Sequence, residues 1–170
     1  MQQPSKFTPI IIGTTVMTLI SVFPILNLLN LLCCAGILLG GFAGSAFYAK
    51  QLEKAGGLIQ FKDGAAIGIL SGLLSALLVV IITTLITLIS STNPVPEIYR
   101  LVEQYGYGIP PEAEKMLQKI SDEYSRNGFS ITITIFTLII DIITYPLFGF
   151  LGGIIASSIF SKRRTANTDV

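Results

Sequence analysis

The stretch Leu39–Lys50, LGGFAGSAFYAK, returns 112 positions later as LGGIIASSIFSK over Leu151–Lys162, with five of the twelve positions identical. Each copy closes an apolar run. One reading is a duplicated helical hairpin, with both copies in parallel orientation. The other is that both strings meet the same physical demand at the end of a membrane helix. Glycine and serine let helices approach, an aromatic such as Tyr48 or Phe160 sits at the interface, and Lys50 or Lys162 snorkels to the headgroups.

Glycine spacing carries the reading further. Gly36, Gly40 and Gly44 recur every four residues, as do Gly64, Gly68 and Gly72, then Ala76, and again Gly149, Gly153 and Ser157. At 3.6 residues per turn this spacing draws one nearly straight stripe along a helix. In lipid no hydrophobic effect drives helix against helix. Close backbone approach does, and stripes of small residues permit it. These glycines are therefore expected at helix-packing faces, with Ser45, Ser71, Ser75 and Ser157 beside them to hydrogen-bond across.

Composition agrees with a lipid solvent. Of 170 residues, 51% are hydrophobic and 12% charged, with mean hydropathy +0.72, whereas soluble domains carry about 25% charged residues. A net charge of +1 offers no basic face for nucleic acid. The chain has no His, which removes the commonest general base and metal ligand. No catalytic, cofactor-binding or metal-binding set emerges, so a non-enzymatic protein is expected. Cys33 and Cys34 are neighbours, and in a helix their side chains point about 100° apart. They read as small buried apolar residues rather than as a disulfide.

The apolar runs fall at about 8–26, 30–49, 64–91 and 129–160. Each approaches or exceeds the roughly 20 residues that cross a bilayer. No small-x-small cleavage site follows the first run, so it reads as an uncleaved span. The fold expected is an all-α membrane protein of one domain over 1–170. Four transmembrane helices form two hairpins, with an amphipathic helical insert between helices 3 and 4. Residues 23–30 are expected as a tight turn closing the first hairpin. Seven basic residues (Lys6, Lys50, Lys54, Lys62, Lys162, Arg163, Arg164) fall on one side, and Arg100, Lys115, Lys119 and Arg126 on the other. The bias predicts a multi-pass cell-membrane protein with both termini cytoplasmic and residues 92–128 outside.

That outer segment reads as two short helices, about 95–105 and 111–125, the second started by Pro110-Pro111. Met116, Leu117, Ile120 and Tyr124 share one face; Glu112, Glu114, Lys115, Lys119 and Glu123 lie mostly on the other. A basic lipid-binding face is missing, so a cap over the outer mouth or a docking surface is expected. Asp63 is expected to cap the third span.

Asp141 is the one acid well inside a span, and such residues are functional candidates by default. Thr83 and Thr84 are expected at similar depth on the third span, with Tyr145 one turn along from Asp141. The group reads as an interhelical polar site or a proton or cation site.

Pro24, Asn27, Cys33-Cys34, the glycine-rich run to Lys50, FKDGAAIG at 61–68 and the closing LGGIIASSIFSKRR together resemble a small bacterial family of four-helix integral membrane proteins of unknown function. The resemblance implies the fold and a bacterial inner-membrane location, and it transfers no catalytic residue. The leading expectation is a membrane subunit or scaffold, with lipids and either its own copies or another membrane protein as partners. The alternative is a small oligomeric transporter, coupled to a proton or cation through Asp141.

Overall fold

The computed structural model describes residues 4–31, 34–90, 93–106 and 108–168. It is all-helical, with no strand among the described residues. The helices are α1 (Phe7–Val22), α2 (Pro24–Leu31), α3 (Ala35–Lys54), α4 (Phe61–Ser90), α5 (Val95–Gln104), α6 (Pro111–Asn127) and α7 (Ile131–Thr168). Two of them, α4 and the stretch of α7 from Ile131 to Ser161, are long and apolar enough to cross a membrane. At 1.5 Å per residue α4 extends about 45 Å, well beyond a hydrocarbon core of about 30 Å.

The N-terminal part departs from expectation in one respect. The tight turn placed at residues 23–30 is a two-turn helix, α2. Proline favours the first turn of a helix, and Pro24 opens α2 immediately after Phe23 leaves helical geometry. The step into α3 uses Cys34 in the left-handed region (φ 56°). Helix α1 consequently ends at Val22 rather than 26, and α3 runs from Ala35 to Lys54 rather than 30–49. Cys34 is half-buried and packs on the cluster of Met17, Ile37 and Tyr145; Cys33 lies outside the described residues.

By its contacts the chain divides into two compact units: Met1–Val79 with Ile140–Val170, and Val80–Ile139. In the first unit, four helical stretches touch in a ring. Helix α3 runs antiparallel to α1, with Gly36 against Ile20, Gly40 against Met17 and Gly44 against Pro9. The α4 stretch runs antiparallel to α7, with Gly64 against Gly153, Gly68 against Gly149 and Gly72 against Tyr145. Threonine and serine join α1 to α4 in parallel. Thr14 Oγ1 donates to the Ser71 carbonyl at 3.3 Å, Ser71 Oγ to the Ile10 carbonyl at 3.1 Å, and Thr18 and Ser75 share a bond of 3.0 Å. Parallel contacts of α3 with α7 (Gly41 on Gly149, Ser45 on Gly153) close the ring.

In the second unit, α5 and α6 are joined through Asn93. Its Nδ2 donates to Ser121 Oγ at 3.2 Å, while its Oδ1 accepts the N–H of Val95 at 3.0 Å. Gly128 (φ +76°) ends α6, and Ser130 begins α7 two residues later.

Candidate functional site

The glycine faces come first. Along α4 the exposure pattern repeats every four residues. Gly64, Ile67, Gly68, Ser71, Gly72 and Ser75 are buried, while Ile69, Leu70, Leu73, Leu74, Leu77 and Leu78 are exposed. A side chain at Gly68 would run into backbone: its Cβ would lie 2.6 Å from the Gly149 carbonyl carbon and 3.0 Å from the Phe150 nitrogen. Gly36, Gly40 and Gly44 form the α3 face toward α1. The stripe pattern missed a second α3 face: Gly41 meets the Gly149 backbone, and Ser45 donates to the Gly64 carbonyl at 3.3 Å. It also missed Gly13 on α1, whose Cβ would lie 2.6 Å from Ser71 Oγ. A search for single stripes finds one contact face per helix, and α3 has two neighbours.

At one end of this unit, Lys6 Nζ lies 2.7 Å from Asp63 Oδ1 and 5.9 Å from the centre of the Tyr48 ring. Asp63 lies inside the first turn of α4 rather than at its cap. Its Oδ2 accepts the N–H of Gln60 at 3.1 Å, the carboxylate half of a capping box. Burying that carboxylate is tolerable because the ammonium and the backbone N–H both face it.

Asp141 and Tyr145 belong to the first unit, Thr83 and Thr84 to the second. Tyr145 is buried, with its hydroxyl beside Ser21. Ser21 Oγ also accepts from Asn30 Nδ2 at 3.3 Å. Asp141, one turn from Tyr145, is half-buried, and among the described residues no side chain is hydrogen-bonded to its carboxylate. Thr83 donates to the Val80 carbonyl of its own helix at 3.2 Å. With Thr84 it lines a cleft of about 260 Å³ whose other hydroxyls include Tyr124, Ser130, Thr134 and Thr137.

The second unit also holds a cluster that the sequence reading passed over. Glu123, assigned there to a solvated helix face, accepts three hydrogen bonds at the start of α7. These come from Ser130 Oγ (2.6 Å), Thr132 Oγ1 (2.7 Å) and Thr132 N (2.9 Å). Ser130 Oγ in turn accepts the N–H of Ile133 at 3.2 Å, as an N-cap serine does. The carboxylate thus sits at the positive end of a long helix. The Ser130 hydroxyl foremost, then Thr132, pulls the Glu123 pKa down from 4.5 to about 2. A signal was present in sequence: Gly128 and Ser130 are a C-cap glycine and an N-cap serine two residues apart. Nothing local, however, pointed back seven residues to Glu123.

Because the folded-state pKa is the lower one, the stabilisation by Glu123 is full above pH 4.5 and vanishes as pH falls through about 2. Melting curves in detergent between pH 7 and 2 should show a loss in wild type that Glu123→Gln lacks below pH 4.5. Parallel curves for the two proteins would remove the clamp from the account.

The class defined at this point is an all-helical protein with two helices of membrane-crossing length and apolarity. Comparison with known protein families, curated proteins and solved structures finds no match.

Proposed function

We propose that the chain is a non-enzymatic integral membrane subunit or scaffold. In this reading it crosses a cell membrane four times, packs through glycine faces, has both termini in the cytoplasm, and works bound to its own copies or to a membrane-protein partner. The observation that carries this reading is the inverted face of α4. Small and hydroxylated residues are buried, and a row of leucine and isoleucine is exposed. A soluble protein buries its large apolar side chains and rarely exposes a contiguous apolar patch of this extent. Lipid reverses the preference, since tails are as apolar as leucine and only close backbone packing is left to gain. Helix α1, with 16 residues, and the apolar part of α3 are short for a full crossing. Their antiparallel pairing nonetheless returns the chain to the side where Lys6 meets Asp63.

The test is extraction of the tagged full chain in mild detergent, with the mass of the complex measured by native mass spectrometry. A stoichiometric membrane partner or a defined homo-oligomer is the expected result. A lone monomer that moves ions in proteoliposomes would contradict the subunit reading.

The transporter reading has one observation in its favour. Asp141 stands one turn from Tyr145, which lies beside Ser21, and Ser21 accepts from Asn30, whose Oδ1 is buried with no hydrogen-bond partner among the described residues. A chain of polar groups beside an intramembrane acid is the arrangement a proton relay needs.

A further inference from the structure

Helix α5 has a sharply divided surface. Ile98, Leu101, Val102 and Tyr105 fall within about 100° of one another at 100° per residue. Glu97, Arg100, Glu103 and Gln104 occupy the other side. Three of the apolar four are open: Ile98 is 38% exposed, Leu101 45% and Tyr105 70%. The helix is fixed at its first residue, where Val95 is buried and its N–H is held by Asn93, which also reaches Ser121 of α6. Its apolar face therefore continues outward from an anchored start, and among the described residues it stays largely open.

We infer that this face of α5 rests in the headgroup–acyl boundary of the membrane that α4 and α7 cross, so that its occupant is lipid. The inference rests on the membrane reading above. Four residues separate Ser90, the last of α4, from Val95, and the five steps between them reach at most about 18 Å. The other end of the insert is held as firmly, since the carboxylate of Glu123 grips Ser130 and Thr132 at the start of α7. Both attachments are to ends of membrane-length helices, so the insert is confined to the depth at which those helices leave the lipid. The last residues of α4 are apolar and open as well, with Leu88 46% and Ile89 83% exposed. Tyr105 at the far end supplies an apolar ring with a polar tip, the side chain that collects at such interfaces.

The acidic polar face does not oppose this placement. A free ten-residue helix with two glutamates and one arginine would bind a bilayer poorly. Tethering makes the association intramolecular, so a small apolar contact suffices and anionic lipid is not required.

The chain contains no Trp, so single tryptophans report position without background. The full chain carrying Leu101→Trp, Tyr105→Trp, Glu103→Trp or, as a control on α4, Leu77→Trp is reconstituted into phosphatidylcholine vesicles. Quenching is compared between lipids brominated near the carbonyl end of the chain, lipids brominated near its middle, and aqueous iodide. The Trp at 101 or 105 should lose most of its emission to the shallow bromines and little to iodide, and the Trp at 103 the reverse. The Trp at 77 should respond to the deep bromines. Quenching at 77 together with iodide access at 101 and 105 would overturn the inference and leave the membrane reading standing. Quenching at 77 with 101 and 105 shielded from both bromine and iodide would overturn it in favour of a protein partner. No bromine quenching at 77 would end the membrane reading, and the inference with it.

Discussion

Gly68→Leu is expected to give a protein that no longer holds its first unit together, with a melting temperature in detergent far below wild type. Even the first added carbon would meet the Gly149 carbonyl and the Phe150 nitrogen. Backbone cannot rotate out of the way as a side chain can. Overpacking a core by an added group costs about 1–3 kcal/mol, and a whole leucine placed between two backbones should lie at or beyond the top of that range. Gly153→Leu meets the Gly64 backbone in the same manner and should behave alike. Gly40→Leu first meets the Met17 side chain, with the Gly13 carbonyl 3.0 Å away, so part of its bulk can be absorbed and its cost should be smaller. Two controls bound the effect. Gly108 has nothing within 4 Å, and Leu77 is 45% exposed; Gly108→Ala and Leu77→Phe should each stay within about 0.5 kcal/mol of wild type. A Gly68→Leu protein that melts with wild type would mean that α4 and α7 do not touch through these residues.

The second large effect is expected at Asp141. Its carboxylate lies ten residues into α7, about 15 Å along the helix axis. An acid near the centre of a membrane helix costs about 2.5–3.5 kcal/mol on insertion scales. If Asp141 has only a structural place, losing it costs nothing that the described hydrogen bonds hold. Asp141→Asn should then melt as wild type does, and Asp141→Leu should be neutral or more stable by up to about 2–3 kcal/mol. If the residue carries a proton or cation, Asn cannot titrate and Leu cannot bind. Both should then abolish pH-dependent ion flux in proteoliposomes while the fold survives. Melting temperature and flux measured together on wild type, Asn and Leu separate the cases. Flux in wild type that disappears in Asn would replace the scaffold reading with the transporter one.

Much of the fold was legible because helical period and glycine spacing are local. α5, α6 and α4 start and stop within a few residues of where Pro111, Asp63 and the apolar runs place them, and α7 starts so too but continues to Thr168, beyond the 160 expected. The glycine positions could be read because small residues every four positions have few uses in an apolar helix. α2 was not legible. Pro24 and the polar Asn27 and Asn30 suit a turn as well as a short helix, and nothing local announces that Asn30 Oδ1 packs on Gly36, 2.5 Å from where its Cβ would be.

The repeated string turned out to mark neighbours. Gly41 lies on Gly149 and Ser45 on Gly153, so the two copies run parallel along the α3–α7 contact. No local pattern encodes that. The group around Asp141 was only half legible, because depth along a helix can be counted from sequence but rotation and partners cannot. Thr83 and Thr84 share a cleft with Tyr124 and Ser130, which no spacing announces. Glu123 was hidden for the same reason: a carboxylate seven residues before its partner looks like any other charge on an amphipathic helix.

The most direct test of the central claim, that α4 and α7 cross a membrane with the α5–α6 insert outside, is labelling of intact cells with an impermeant thiol reagent. Cysteines are placed singly at Gly57, between α3 and α4, and at Gly108, between α5 and α6, and native Cys33 and Cys34 are controlled for by the unsubstituted chain. Labelling at 108, with 57 reached only after the cells are permeabilised, is the expected result. Labelling at 57 with protection at 108 would invert the topology, and equal protection or equal labelling at both would contradict a chain that crosses the membrane between them.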